Sequence, residues 1–167
     1  MITPVRTFVT EFVKDKHFKK VLEVGSRSVN GSIKAQFEYK YDEYIGLDLI
    51  EGDGVDILDD AMNIPKHWPD ETFDLVICVE TLEHVKDPVR IVENMRNVLK
   101  SGGWLLITTP GLHHPEHGWP SDYYRFMGNT YRDIFFEGYE HCVYEEKVWE
   151  GDSLRYPDAH FGYGQKP

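Results

Sequence analysis

Val21-Leu22-Glu23-Val24-Gly25-Ser26-Arg27-Ser28-Val29-Asn30-Gly31 is the stretch on which the fold turns. A short apolar run stops at Gly25 and opens into a small, polar loop. Such a run reads as a buried strand, and a glycine at its tip leaves the backbone free to turn tightly and approach a ligand. Outward from it the pattern repeats. Tyr44-Ile45-Gly46-Leu47 is a second strand that ends in Asp48, and a brief third strand is expected around Val55. Phe73 to Val79 is continuously apolar, the mark of a strand buried on both faces. Trp104-Leu105-Leu106-Ile107-Thr108 is another. Between and before the strands lie helical spacings. Val5, Phe8, Val9, Phe12 and Val13 share one face, behind Thr3 as N-cap and Pro4 as first helical residue. Within Val89 to Leu99, residues Ile91, Val92, Met95, Val98 and Leu99 fall at core spacing, and Ser101-Gly102-Gly103 is expected to stop that helix. Pro110 to Gly128, rich in Pro, Gly, His and aromatics, reads as a long ordered loop. Thr130 to Glu137 reads as a short helix. Tyr139 to Trp149 and Ala159 to Lys166 are the last two strands, an antiparallel pair with a turn at Gly151-Asp152. Strands alternating with helices give an α/β, Rossmann-like fold. Its central sheet is mostly parallel, with helices on both faces and a C-terminal antiparallel strand pair.

The 167 residues suit one domain, and 41% hydrophobic with 28% charged residues fits a globular chain. A net charge of −11 repels phosphates, so broad nucleic-acid binding is not expected, nor is binding to anionic membranes. The two cysteines, Cys78 and Cys142, form neither a disulfide framework nor a zinc pattern. The first residues lack the apolar core of a signal peptide, and no run approaches membrane-spanning length. A cytoplasmic protein is expected.

Open α/β sheets bind ligands at the carboxyl ends of their strands, where strand order reverses. Asp48 stands about twenty residues after Gly25, the spacing at which a strand-tip carboxylate accepts the ribose hydroxyls of an adenosine cofactor. Ser26, Arg27 and Ser28 occupy positions where a dinucleotide loop would crowd glycines around a pyrophosphate. Glu23 would repel a pyrophosphate but suits the ammonium of a methionine moiety.

Five blocks, in order from Val21 to Thr109, resemble the class I S-adenosylmethionine-dependent methyltransferases, particularly their small type-11-like branch. They are Val21-Leu22-Glu23-Val24-Gly25, Tyr44-Ile45-Gly46-Leu47-Asp48, Asp59-Asp60-Ala61-Met62-Asn63-Ile64-Pro65, Phe73 to Glu80, and Leu99-Lys100-Ser101-Gly102-Gly103-Trp104-Leu105. The resemblance implies that residues 1–167 form a single S-adenosylmethionine-dependent methyltransferase domain. It implies that Gly25, with Ser26 beside it, lies against the methionine part and that Glu23 faces its ammonium. Asp48 then takes the ribose hydroxyls and Leu49 flanks the adenine. Asp60 meets the adenine amino group, Ala61 a ring nitrogen through its backbone, and Glu80 sits beside the sulfonium. Arg27 stands where the family usually has its second glycine.

Two stretches bear on the acceptor. If a helix starts at Glu80-Thr81-Leu82-Glu83-His84, then Glu80, Glu83 and His84 share a face and can hold a divalent metal. That spelling resembles the Glu-x-x-Glu-His site of plant small-RNA methyltransferases and ubiquinone-pathway O-methyltransferases, which a later histidine would complete. The plain alternative packs Leu82 and leaves Glu83 in solvent. The second stretch, Gly111 to Phe126, follows the fifth strand and carries His113, His114, His117, Asp122, Tyr124 and Arg125. Here His117 is the candidate general base, and His113, His114, Asp122, Tyr124 and Arg125 the candidate acceptor lining. Asp122 and Arg125 could instead pair with each other and hold the loop. The expected reaction is O- or N-methylation of a small-molecule or glycan-like acceptor. The pocket is expected to be shallow, or completed by a second subunit in a homodimer. A non-catalytic cofactor-binding partner subunit and an NAD-dependent oxidoreductase are the competing readings.

Overall fold

A computed structural model describes residues 3–118, 121–147 and 158–167. The turn expected at Gly151-Asp152 lies outside these residues. Seven strands form one sheet in the order β3-β2-β1-β4-β5-β7-β6. They are β1 Phe18–Val24, β2 Tyr41–Asp48, β3 Ile57–Leu58, β4 Phe73–Val79, β5 Leu99–Pro110, β6 Glu140–Lys147 and β7 Ala159–Gln165. The first five are parallel, while β7 runs antiparallel to both β5 and β6. The sequence-based fold is borne out, including the antiparallel pair. The chain's last strand, however, inserts between β5 and β6.

Burial follows the period of two. Leu22, Val24, Val76, Cys78, Leu105 and Ile107 pack on one face, and Val21, Leu75, Ile77, Val79 and Leu106 on the other. On the second face α1, Thr3–Val13, buries all five of its predicted apolar residues; Phe8 stacks on Phe161 with ring centroids 5.1 Å apart. The first face is covered by α2 (Ile64–His67), by α3 (Pro88–Val98), and by the aromatic segment that follows α4 (Gly128–Thr130). Helix α3 is capped by Asp87, whose side chain accepts from Arg90 N–H, and it has Pro88 in its first turn.

Three local expectations change. Helix α3 ends at Val98, not at the glycines: Leu99 is already extended and pairs with Phe73. Strand β5 runs on through Ser101-Gly102-Gly103 with a register shift, and Gly102 there has φ +75°. A bulge explains glycines that read as a helix stop. The expected helix at 130–137 is a single turn, α4, continued by a wider π-type turn over Tyr131–Phe135. The third strand has two residues, at 57–58 rather than around Val55. No helix among the described residues is long and apolar enough to cross a membrane.

Candidate functional site

Strand order reverses between β1 and β4, so the crevice at their carboxyl ends is where a ligand belongs. Gly25 leaves β1 with φ +80°, and a Cβ there would lie 2.0 Å from Thr81 Oγ1. Only glycine fits. The N–H groups of Gly25 and Ser26 both donate to Leu47 O, at 2.8 and 3.2 Å. Asp48, half-buried at the tip of β2, accepts from Arg27 N–H through Oδ2 and from Ile50 N–H through Oδ1, each at 2.9 Å. Its orientation is therefore fixed, and each oxygen keeps a lone pair for a further donor. The side chain of Arg27, at the family's second-glycine position, lies over Gly52, and Gly54 O fills the space where a Cβ of Gly46 would stand. Segment 50–56 is thereby clamped onto the loop after β1, with Ser28 N–H donating to Asp53 O at 2.8 Å.

Beside this crevice Asp60 caps a single turn, its Oδ1 accepting from Met62 N–H at 2.8 Å. Asp59 braces the turn from below. It accepts from Asn63 Nδ2, from Asp60 N–H and from His67, and these contacts pull its carboxyl down to about 2. Asn94, buried on α3, donates to Ala61 O at 3.4 Å and Met62 O at 3.2 Å. Leu49 and Met62 are exposed apolar side chains at the rim.

Two of the residues expected to contact the cofactor are buried. Glu23 is buried, and Tyr44 OH donates to its Oε2 at 2.7 Å. Burial pushes its carboxyl up to about 8, against the opposing pull of Tyr44 and Lys34. Burial thus favours its protonated form. Ser26 is also buried, with its hydroxyl wedged under Gly46 and unpartnered.

Beyond β4 the expected helical face does not form. Glu80 has φ +48°, a costly left-handed conformation for a non-glycine residue, and only a 3₁₀ turn, Leu82–His84, follows. The turn sends Glu80 to β5, where Thr108 Oγ1 donates to its Oε1 at 2.8 Å. Burial raises its pKa and the Thr108 bond opposes this. Glu80 therefore does not join the other candidate metal ligands. Glu83 and His84 do come together, and the third member is His117: one ligand atom from each lies within 4.8 Å of the others. Glu83 is not in solvent. Its side chain is fully buried with both carboxyl oxygens unpartnered, and burial, with Glu80 and Asp122 nearby, raises its pKa well above normal. The Nε2 atoms of His84 and His117 stand 3.4 and 3.8 Å from its Oε1. Burial lowers the pKa of His117, with His114 adding to the effect and Asp122 opposing it. One Nε2 lone pair cannot both bind a cation and take a proton from the acceptor, so the base and ligand roles of His117 exclude each other.

Residues 121–126 are pinned across this cluster. Tyr123 and Tyr124 N–H both donate to Glu83 O, and Tyr124 OH donates to Lys86 O at 3.0 Å. Arg125 and Asp122 pair, which holds the loop. His113 and His114 are half-buried, and the ring of His114 lies 4.5 Å from that of His117. Tyr123, Tyr124 and Met127 form an exposed apolar rim.

A family model described as methyltransferase domain matches residues 1–155. The chain belongs to that family. As a methyltransferase it is similar to the ubiquinone biosynthesis O-methyltransferase of Aliivibrio fischeri strain ES114, 30% identical over 123 residues, 65% of this chain and 51% of that one. The corresponding enzyme of Paraburkholderia xenovorans is 50% identical over 38 residues, covering 23% of this chain and 16% of its own length. The methyltransferase thus spans about half, or less, of these relatives. In fold it resembles a SAM-dependent methyltransferase from Archaeoglobus fulgidus, with TM-score 0.74 and 17% identity over 98% of this chain and 93% of that one.

Sequence reasoning passed over Thr81, Asn94 and the bracing role of Asp59. Asn94 carried a usable signal: it sits on the apolar stripe of α3, three residues after Ile91, and a polar side chain at core spacing needs a nearby partner. Thr81 carried none, because its value lies in touching Gly25 across the sheet.

Proposed function

We propose that this methyltransferase binds S-adenosylmethionine across the tips of β1, β2 and β4 and methylates an oxygen of a small-molecule acceptor. The observation that carries the reading is Asp48: its carboxylate is held by two backbone N–H groups, with acceptor capacity left on both oxygens, beside a glycine that no other residue can replace. In this reading Asp48 takes the ribose hydroxyls, Leu49 and Met62 flank the adenine, and Asp60 with Ala61 N–H reads its edge. The Gly25 loop lies along the methionine part. Glu80, at the tip of β4, borders the sulfonium region. Glu23 and Ser26 support the loop from beneath. When bound, the sulfonium supplies an electrophilic methyl carbon; what the chain adds is alignment and the exclusion of water. The curated relatives, named as O-methyltransferases, support oxygen as the acceptor atom.

We further propose that Glu83, His84 and His117 hold a divalent cation. A fully buried carboxylate with two orphaned oxygens, facing two imidazole nitrogens, fits a cation better than it fits an empty core. Bound there, a cation would favour the deprotonated form of an acceptor hydroxyl. His117 is then a ligand and not the general base. His113, His114 and Tyr124 remain as acceptor lining.

Calorimetry tests the first reading. S-adenosylhomocysteine should bind and NAD should not, and Asp48→Ala should lose affinity for the former by roughly tenfold or more, the scale of a charge-assisted hydrogen-bond pair. An Asp48→Ala protein that binds as tightly as the parent would end it.

A further inference from the structure

We propose that Glu80, and not Glu23, takes the ammonium of the cofactor's methionine end, with Thr108 as the positioning residue that holds Glu80 for it. The inference rests on the reading that S-adenosylmethionine lies across the tips of β1, β2 and β4.

Two acids border the place assigned to the methionine part. Glu23 is the one its spacing in the sequence favours, but it is only 5% exposed and its Oε2 accepts from Tyr44 OH. Glu80 stands higher. Val24 pairs with Cys78, so Glu80 leaves the sheet two residues beyond that pair, level with the loop that Gly25 opens. The next residue, Thr81, fills the space that a Cβ on Gly25 would need. The backbone that carries Glu80 is thus in contact with the loop along which the methionine part would lie.

The local geometry is costly for a glutamate. At φ +48° Glu80 is left-handed, a conformation that glycine or asparagine adopts with less strain. The turn alone therefore does not call for this side chain. Two bonds to one residue of β5 keep it there: Glu80 N–H donates to Thr108 O at 3.0 Å, and Thr108 Oγ1 donates to Glu80 Oε1 at 2.8 Å. Thr108 is fully buried, so solvent does not compete for that hook. The other oxygen, Oε2, has no hydrogen-bond partner among the described residues, and Glu80 is half-buried. A carboxyl anchored at one oxygen and open at the other is a preorganised acceptor. Of the groups at the methionine end, only the ammonium brings N–H donors; the cofactor's own carboxylate would be repelled.

Calorimetry with two probes tests this. S-adenosylhomocysteine carries the ammonium, and 5′-methylthioadenosine keeps the adenosine and sulfur but lacks the amino-acid end. Glu80→Gln should weaken S-adenosylhomocysteine by roughly tenfold or more, the scale of a hydrogen bond to a charged group, and leave 5′-methylthioadenosine within about twofold. Thr108→Val should show the same one-sided loss, and Thr108→Ser, which keeps the hydroxyl, should restore affinity to within about threefold. Glu80→Gly relieves the strain while removing the carboxyl, so it should melt no lower than the parent and still lose S-adenosylhomocysteine selectively; it decides the matter should Glu80→Gln not fold. Equal losses for both probes, no loss in Glu80→Gln, or a one-sided loss in Glu23→Gln instead, each overturn the inference and leave the cofactor reading standing. A parent protein that binds neither probe overturns both.

Discussion

Glu23→Gln should make the protein more stable in alkaline buffer and change little in acid. The carboxyl of Glu23 is buried under Tyr44 and its pKa rises from 4.5 to about 8. Because the folded value lies above the unfolded one, the folded protein holds a proton that the unfolded chain releases. The contribution to stability is full below about pH 4.5 and is lost progressively as pH rises through about 8. At 1.36 kcal/mol for each tenfold change, the whole span amounts to about 5 kcal/mol, an upper figure because burial relaxes on ionisation. Glutamine keeps a carbonyl to accept the Tyr44 hydroxyl and does not titrate. The assay is urea unfolding of both proteins across the pH range, read as the difference between the two curves, in which all other groups cancel. Near pH 5 the difference should be within about 1 kcal/mol; near pH 9 the variant should lead by roughly 3 to 5 kcal/mol. A flat difference curve would refute the burial argument. The same variant separates two roles for Glu23 at neutral pH. A neutral supporting acid predicts S-adenosylhomocysteine affinity within about threefold of the parent, whereas a carboxylate paired with the ligand's ammonium predicts a loss of tenfold or more.

Gly46→Ala should cost roughly 2 to 4 kcal/mol and weaken cofactor binding, because its Cβ would stand 1.9 Å from Gly54 O and must lift segment 50–56 off the Gly25 loop; thermal melts with and without ligand check this. Asn94→Ala removes the two bonds that tie α3 to the turn at Ala61 and Met62 and leaves those carbonyls unserved, so a loss of about 1 to 3 kcal/mol is expected by urea unfolding. Glu83→Gln replaces a carboxyl whose charged form burial disfavours, so metal-free stability should change by less than about 1 kcal/mol while any Mn²⁺-induced rise in melting temperature disappears.

The sheet and the helix faces were legible because they rest on periodicity, which the chain carries locally. Phe73 to Val79 could be little other than a strand buried on both faces, and α1 buries the five residues its spacing named. What misled was context. Ser101-Gly102-Gly103 has the chemistry of a helix stop and of a bulge alike, and only its pairing with β4 and the C-terminal strand chooses between them. Glu80 and Glu83 were read as sharing a helix face because the sequence does not announce a left-handed residue; the hydrogen bond to Thr108 decides it, and Thr108 lies on another strand. The candidate site divides likewise. Asp48, Asp60 and Gly25 mark strand and turn ends and could be found from spacing. His117 meets Glu83 and His84 across a loop in which Asp122 accepts from its backbone N–H and pairs with Arg125, an arrangement that residue spacing does not announce.

The position of β7 has a consequence for how the protein is made. Among the described residues, strand β5 keeps one edge open until β7 pairs with it, and β6 has no partner in the sheet except β7. Both wait for β7 to leave the ribosome. During that interval the backbone of an unpaired strand carrying Leu105, Leu106 and Ile107 is free to pair with another chain. Synthesis thus delivers the crevice-forming half, β1 to β4, early, and seals the other half with one late antiparallel addition. Anything that delays or removes residues 159–165, such as a slow codon run or a truncation before them, should raise aggregation before it lowers affinity for a ligand held by β1 and β2.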